Sequence, residues 1–264
     1  MSFRIAVAGK GGTGKTTLVG LIIRALVEHD CGAVMAVDAD PNSSLGMLLG
    51  LEPDTCLADI REESNEKART STTAESKHAA LEYALQAAVC EGRGVDMVTM
   101  GRPEGPGCYC YVNNLLRGFL EDLAVSYPWV VVDNEAGMEH LSRRTTNNVD
   151  LLLIVYELTA LGIKTARRLD DLSRQLPVEI KRRVFVANRV PAEGPSPQLA
   201  EMVSKENVAA DVNLPIDEVF YGHSAAGESV FDMPADCPAL ITVREALDRW
   251  GVGVSDPNVQ KVQQ

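Results

Sequence analysis

Apolar and polar positions along the 264-residue chain form two alternating patterns. Short continuous runs of apolar, β-branched residues are typical of strands that are covered on both faces. Helical stretches separate these runs, and this alternation predicts βαβ units with a parallel sheet. Strands are predicted at Arg4–Ala8, Ala33–Asp38, Val95–Met100, Trp129–Asp133, Leu151–Tyr156, Arg183–Ala187 and Asp211–Leu214. Helices are predicted at Lys15–Glu28, Asn113–Ser126, Gly162–Gln175, Ser196–Glu206 and Pro238–Trp250. The pattern therefore predicts a three-layer α/β fold: a mostly parallel central sheet with helices on both faces.

The segment 61–94 interrupts this alternation. It is charged and polar from Arg61 to Lys67, and it then predicts a helix from Glu75 to Cys90. We interpret it as an insertion between the second and third strands, either a lid or partner-facing element or a surface excursion without function. No repeat or linker divides the chain, so we expect a single domain over 1–250 and a short frayed tail over 251–264.

Composition and charge narrow the classes of function. Hydrophobic residues make up 45% of the chain, which is enough for a sizeable core. The 37 acidic and 25 basic residues give a net charge of −12, and this argues against nucleic-acid binding, which usually needs a basic face. No apolar run reaches the roughly 18–20 residues of a membrane span, and the apolar N-terminus leads directly into a glycine loop. We expect a cytoplasmic protein, with no nucleic-acid or membrane partner, whose six cysteines are thiols.

A glycine-rich loop joins the first predicted strand to the first predicted helix. Its sequence is Gly9-Lys10-Gly11-Gly12-Thr13-Gly14-Lys15-Thr16-Thr17. Glycines let successive backbone N–H groups curve around phosphate oxygens, and the helix N-terminus adds partial positive charge. Lys15 is placed to reach the terminal phosphates, and the hydroxyl of Thr16 is placed to bind Mg²⁺. The loop predicts a single-domain P-loop NTPase that binds ATP through residues 11–17.

Lys10 indicates which subclass of P-loop NTPases the glycine-rich loop resembles. The pattern Lys-Gly-Gly-Thr-Gly-Lys-Thr resembles the deviant Walker A family, which includes nitrogenase iron protein, the MinD and ParA positioning ATPases and nickel-insertion ATPases. The resemblance implies that Lys10 crosses a two-fold axis to the nucleotide of a second protomer, so that ATP joins a homodimer face to face. A cation there would also offset charge on the transferring phosphoryl group. Lys10 and Lys15 are accordingly candidate catalytic residues.

Two further motifs agree with this resemblance. The second strand is followed by Asp38-Ala39-Asp40-Pro41-Asn42, which is similar to the first switch of the family. The resemblance implies that Asp40 orients the attacking water and that Asp38 helps to hold Mg²⁺ through water.

The fourth strand runs into Asp133-Asn134-Glu135-Ala136-Gly137, which is similar to the Walker B motif and second switch. The resemblance implies that Asp133 is a carboxylate beside the Mg²⁺ and that Gly137 senses the γ-phosphate. Asn188, after the sixth strand, resembles the asparagine with which the family reads adenine; a simple turn residue is the alternative.

Cys108 and Cys110 lie in a Gly- and Pro-rich segment after the third strand. Strand ends in open α/β sheets are where ligands bind, and an adjacent helix N-terminus favours thiolate. In an extended segment, residues two apart point to the same side, so both sulfurs could face one metal. Two thiolates do not complete a tetrahedral site, whereas a two-fold dimer would supply four. Ordinary loop cysteines are the alternative.

The Cys-x-Cys pair together with both switches resembles the CooC-type accessory ATPases, which mature carbon monoxide dehydrogenase and related nickel enzymes. The resemblance covers Ile5 to about Leu214 and is most specific between Gly101 and Arg144. It implies that Cys108 and Cys110 bind Ni²⁺ or Zn²⁺ across the dimer. It also implies that ATP hydrolysis couples the dimer state to nickel insertion into a client, carbon monoxide dehydrogenase or acetyl-CoA synthase.

Two other classes of function stay open at this point. A nitrogenase-iron-protein-like electron carrier would hold a [4Fe–4S] cluster between protomers, and two Cys-x-Cys pairs are chemically able to hold one. That family takes a second cysteine from another segment, and no cysteine lies between Asp133 and Asp150. A MinD- or ParA-like positioning ATPase would need an amphipathic anchor or a basic surface. The Gly- and Pro-containing C-terminal segment and the negative charge argue against both.

Overall fold

Eight strands form one central sheet in the computed structural model, which describes residues 2–40, 42–60, 63, 83–101, 118–119, 121–123, 125–138 and 148–252. The strands are β1 (Phe3–Gly9), β2 (Val34–Ala39), β3 (Cys90–Glu91), β4 (Val95–Thr99), β5 (Trp129–Asn134), β6 (Asn148–Glu157), β7 (Glu179–Val190) and β8 (Val212–Pro215). Their order is β3-β4-β2-β5-β1-β6-β7-β8. Every neighbouring pair is parallel except β3 and β4.

Helices pack on the sheet and bury its apolar residues. Those that lie wholly within the described ranges are α1 (Lys15–Glu28), α2 (Leu45–Leu49), α3 (Ala160–Ser173), α4 (Pro197–Glu206), α5 (Glu218–Ala226) and α6 (Pro238–Arg249). One apolar cluster joins α1 and α6 to the sheet, and a second, which includes residues of α3, covers the opposite face. The predicted single-domain α/β fold with a mostly parallel sheet and helices on both faces is confirmed.

The direction in which successive strands are added to the sheet reverses at β1. β1 lies between β5 and β6, so that β2 to β5 lie on one side of β1 and β6 to β8 lie on the other side. Ligands of open α/β sheets bind at such a reversal, outside the carboxyl ends of the strands. The glycine-rich loop leaves β1 at this point.

The predicted elements differ from the observed ones mainly at their ends. Helix α1 has the predicted bounds, whereas α3 begins two residues early because the side chain of Thr159 accepts a hydrogen bond from the Gly162 N–H at 3.0 Å. Strand β7 extends well beyond the predicted Arg183–Ala187, because its charged first half still pairs with β6 from Glu179 onward.

Besides a single-turn 3-10 helix at Val230–Asp232, three elements named above were not predicted. Helix α2 is too short to show a helical period, and α5 has no buried residue that would create one. Strand β3 corrects the predicted helix over Glu75–Cys90: residues 83–87 are helical, but Cys90 pairs antiparallel with Met97 at the sheet edge. Val252, assigned to the tail, is buried and packs in the core, so ordered packing extends past residue 250.

Of the predicted helix Asn113–Ser126, residues 118–119, 121–123 and 125–126 are described and helical. Most of the insertion 61–94 and the segment that carries Cys108 and Cys110 lie outside the described residues. No helix in the described part of the chain has the length and apolar content needed to cross a membrane.

Candidate functional site

The glycine-rich loop is a tight turn between β1 and α1. Gly12 and Gly14 have φ of 79° and 89°, a conformation that side chains disfavour. A Cβ on Gly14 would also collide with the amide of Asn188. The backbone N–H and the hydroxyl of Thr13 both donate to the Lys10 carbonyl, at 3.3 Å and 2.7 Å. Glycine is therefore required at position 14 for both conformation and space.

The end of β7 fixes the other side of this loop. Asn188 Nδ2 donates to the Thr13 carbonyl at 2.8 Å, and Arg189 Nη1 donates to the Gly12 carbonyl at 3.3 Å. Arg189 also pairs with Glu157 at 2.6 Å. Two loop carbonyls are thereby bound to β7, which positions the loop relative to the sheet.

Two aspartates lie beneath the loop. Asp38 and Asp133 are register partners on the adjacent strands β2 and β5, and both are fully buried. Burial raises the pKa of Asp38 to about 6 and, more strongly, that of Asp133 to about 7. The charge of Asp38 further raises the Asp133 pKa, which the Thr16 hydrogen bond and Lys15 lower. The two carboxylates together favour a cation or a proton at this point.

The pair formed by Asp133 and Thr16 fits a magnesium ion. Thr16 Oγ1 donates its proton to Asp133 Oδ2 at 2.5 Å, which leaves the hydroxyl lone pairs for another partner. Asp133 Oδ1 is buried and has no hydrogen-bond partner within the described ranges. A buried oxygen without a partner is costly, and a cation or water would satisfy it. Hydroxyl and carboxylate oxygens are hard ligands of the kind that Mg²⁺ prefers.

Asp38 organises the loop that leaves β2. Its Oδ1 accepts a hydrogen bond from the Asp40 N–H, and its Oδ2 accepts one from the Leu45 N–H, each at 3.1 Å. One buried carboxylate thus holds both ends of the 40–45 loop. Its role beside Mg²⁺ stays a prediction, because both of its oxygens bind backbone here.

A cavity of about 580 Å³ opens over the phosphate loop, within the range of small-molecule sites. Its walls are formed by Gly11, Gly12, Gly14, Lys15, Thr16, Thr17, Asp40, Asn42, Ser44, Glu135, Ala136 and Arg189. The loop, the first switch and the second switch therefore meet around one space. Only 5% of Lys15 is exposed, so its ammonium lies within the site rather than in bulk solvent.

The structure brings together most of the predicted site residues. Six of the seven predicted loop residues and Asp40 line the cavity, and Thr13 is buried behind them. Asn188 binds the loop instead of lining the space, so its predicted contact with adenine stays a prediction. Lys10 is exposed and outside the lining. Cys108 and Cys110 lie outside the described residues.

Gly137, predicted to sense the γ-phosphate, connects the second switch to the start of the loop. Its N–H donates to the Gly9 carbonyl at 3.2 Å, and its φ of 106° needs glycine. The second switch and the phosphate loop are thus joined directly by backbone, although a contact between Gly137 and phosphate stays a prediction.

Five lining residues were not predicted: Asn42, Ser44, Glu135, Ala136 and Arg189. Each follows a predicted site residue or strand by a few positions. Because loops after parallel strands meet at one edge of the sheet, extending each motif by several residues would have found them. Chain proximity alone does not say which of them faces the space, however, and that depends on the turns.

Comparisons with known proteins agree with this geometry. The sequence profile described as "CobQ/CobB/MinD/ParA nucleotide binding domain" matches residues 5–220. An uncharacterized ATP-binding protein of Methanocaldococcus jannaschii is 36% identical over 251 residues, which cover 93% of this chain and 97% of the relative. The carbon monoxide dehydrogenase accessory protein CooC of Rhodospirillum rubrum is 29% identical over 245 residues, 89% of this chain and 91% of that protein.

Among solved structures, the MinC:MinD cell division protein complex of Aquifex aeolicus contains a chain that superposes with a TM-score of 0.70. The superposition covers 97% of this chain and 98% of that chain, at 22% sequence identity. Similarity at this level of identity concerns the fold.

Proposed function

This chain belongs to the CobQ/CobB/MinD/ParA nucleotide-binding family, and on that premise we propose that it is a CooC-type ATPase that matures a nickel enzyme. It is a P-loop ATPase whose cofactors are ATP and Mg²⁺. In the proposed function, ATP binding joins two copies of the chain, and hydrolysis drives nickel insertion into a client. The client is a nickel–iron–sulfur enzyme, carbon monoxide dehydrogenase or acetyl-CoA synthase.

The observation that carries this proposal is the connection between the cysteine segment and the nucleotide site. Strand β4 ends at Thr99, and the next N–H, of Met100, donates to the Asp38 carbonyl at 2.8 Å. Gly101 then turns with φ of 71°, and any side chain there would collide with Cys56. Cys108 follows seven residues later, a reach of at most about 25 Å. The thiols therefore belong to a segment that begins beside the first switch.

Thiolates suit a soft or borderline cargo such as Ni²⁺ or Zn²⁺. Each chain offers the close pair Cys108 and Cys110, and a homodimer would bring four sulfurs to one ion. If ATP favours the dimer, it also favours metal binding by the same coupling free energy, and metal favours ATP binding in return. This reciprocity is what a metal-delivery switch requires.

The position of Lys10 supports the dimer in this proposal. Lys10 is exposed and does not line the cavity, whereas Lys15 of the same loop is buried. A lysine that does not line the nucleotide cavity of its own chain is available to contact the nucleotide bound by a second copy. Lys10→Ala is expected to keep ATP binding and to lose ATP-dependent dimerisation. A Lys10→Ala variant that dimerises like wild type would contradict the assignment.

The proposed function is tested by anaerobic titration of Ni²⁺ and Zn²⁺ into the metal-free protein, with and without ATP, while light scattering reports the mass. We expect one metal per two chains, with affinity that depends on nucleotide. Cys108→Ser and Cys110→Ser are expected to lose the metal and keep ATP binding. Cys90→Ser is the matched control, because it removes a free thiol outside the segment and should change neither. Unchanged metal stoichiometry in Cys110→Ser would sink the shared site.

The two alternative functions give different results with the same protein. An electron carrier would bind an iron–sulfur cluster on reconstitution, with the visible absorption of such clusters, and would not release metal to a client. A positioning ATPase would sediment with liposomes or DNA when ATP is added. The net charge of −12 argues against the second alternative, because both of those surfaces are anionic.

A further inference from the structure

Asp40 and Asn42 both line the nucleotide cavity and are joined by two hydrogen bonds. The backbone N–H of Asn42 donates to Asp40 Oδ1 at 2.9 Å, and Asn42 Nδ2 donates to the same oxygen at 2.8 Å. Within the described ranges, Asp40 Oδ2 accepts no hydrogen bond. The carboxylate therefore has one oxygen that accepts two hydrogen bonds, whereas the other accepts none from the described residues.

The surrounding loop keeps this arrangement in place. The Asp40 N–H is bound to the buried Asp38 carboxylate, and the Ser43 N–H donates to the Asp40 carbonyl at 2.9 Å. Ser43 has φ of 49°, which is uncommon for a residue other than glycine. Such conformations persist where the surrounding contacts determine them and are frequent at functional sites. These two backbone hydrogen bonds fix the turn before and after Asn42, and the turn holds Asn42 next to Asp40.

We propose that Asn42 is a positioning residue that sets the orientation of the Asp40 carboxylate for hydrolysis. The proposal rests on the proposed ATPase function, in which Asp40 orients the attacking water. Two donors on Oδ1 oppose rotation about the Cβ–Cγ bond, so Oδ2 is held ready to accept a hydrogen bond from water. Removing the side-chain donor leaves the half-buried carboxylate with one hydrogen bond, from the Asn42 backbone. Small errors in the position of a catalytic group reduce rate more than binding.

The test is steady-state ATPase kinetics of Asn42→Ala. We expect kcat to fall about 10-fold, while KM and ATP affinity change less than about twofold, because Asn42 acts through Asp40 and not on bound nucleotide. Asn42→Ser, which restores a short donor, should recover part of the rate. Ser43→Ala is the matched control from the same turn, and its exposed side chain makes no hydrogen bond among the described residues. A wild-type kcat in Asn42→Ala overturns the proposal.

A double-mutant cycle separates positioning from a general effect on the loop. Asp40→Ala is expected to slow hydrolysis by about 10²- to 10⁴-fold, measured by single turnover. Adding Asn42→Ala to Asp40→Ala should then change nothing, because no carboxylate remains to be oriented. A further 10-fold loss in the double variant overturns the proposal. If Asp40→Ala instead hydrolyses ATP at the wild-type rate, the role of Asp40 in the proposed function fails first.

Discussion

Buried polar groups at the two ends of the parallel strands differ in their hydrogen bonding. We call the end where the parallel strands begin the amino edge and the end where they finish the carboxyl edge. At the amino edge, the buried Arg4 donates from its backbone to Asp150 at 2.8 Å and from its guanidinium to Asn148 at 2.6 Å and Glu121 at 3.3 Å. Asp150 also pairs with Lys181 at 2.7 Å. The polar atoms of this group therefore find partners within the protein.

At the carboxyl edge, several buried polar atoms lack a hydrogen-bond partner among the described residues. Buried side-chain atoms without a partner in the described part of the chain include Thr99 Oγ1, Asp133 Oδ1 and Asn134 Oδ1, which end β4 and β5. At the same edge, burial raises the pKa values of Asp38 and Asp133. Native proteins satisfy nearly all buried polar groups, so several orphaned atoms at one edge indicate a binding site. The amino edge contributes to stability, and the carboxyl edge is organised for a ligand.

The largest effect is expected from Lys15→Ala at the carboxyl edge. Loss of this buried ammonium removes the charge that would meet the terminal phosphates, and we expect ATP turnover to fall at least about 10²-fold. ATP-dependent dimerisation, followed by light scattering, should disappear while the fold stays intact. Lys164→Ala, an exposed lysine of α3, is the control and should behave like wild type. Retained ATP-dependent dimers in Lys15→Ala would refute the phosphate-loop assignment.

Arg4→Ala is expected to give the largest change in stability at the amino edge. It removes the guanidinium that donates to Asn148 and Glu121, and because both acceptors are half-buried we expect a loss of about 2–3 kcal/mol of unfolding free energy. Urea denaturation measures this loss. ATP binding by the folded variant should be unchanged, because the residue lies at the opposite edge from the cavity. A variant that loses nucleotide affinity and keeps its stability would reverse the comparison.

Asp133→Asn should stabilise the protein without ligand, and only at higher pH. Because the folded-state pKa of Asp133 is raised from 3.8 to about 7, the folded chain holds a proton that the unfolded chain has released. Stability therefore falls as pH rises from about 4 through about 7. The variant should remove a cost on the order of 2–4 kcal/mol at pH 8 and little at pH 4.

Denaturation of wild type and Asp133→Asn at pH 4, 6 and 8 checks this pH dependence. Mg²⁺ with ATP should flatten the wild-type dependence, since a cation compensates the same charge. Equal stabilities of the two proteins at every pH would mean that burial does not disfavour the ionised form of Asp133.

The smallest effect is expected from Lys181→Ala. The Lys181 side chain is 58% exposed, and exposed ion pairs contribute little to stability because water and salt screen them. Its small shift of the urea midpoint should vanish at 1 M NaCl. A large, salt-independent loss would show that the amino edge depends on its outer pair as well as on Arg4.

Much of the site follows from motif order. The glycine loop after β1, Asp38 near the end of β2 with Asp40 just after it, and Asp133 near the end of β5 share one edge, as predicted, because parallel strands place their carboxyl ends together. Contacts with no local pattern were not predictable. The bond from Asn188 to Thr13 joins residues 175 positions apart, and the pair formed by Arg189 and Glu157 depends on the register of β6 with β7.

The parallel sheet with its helices, the phosphate loop and the charged residues around it could be predicted from the amino-acid sequence, because periodicity and glycine spacing are local properties. The hydrogen bonds that Asp38 accepts from both ends of its loop and that Asn42 donates to Asp40 are visible only in the folded chain. The same is true of the buried polar atoms at the carboxyl edge that lack a hydrogen-bond partner among the described residues. Satisfaction of a buried polar atom depends on neighbours that are distant in the chain, and burial sets the pKa of a carboxylate.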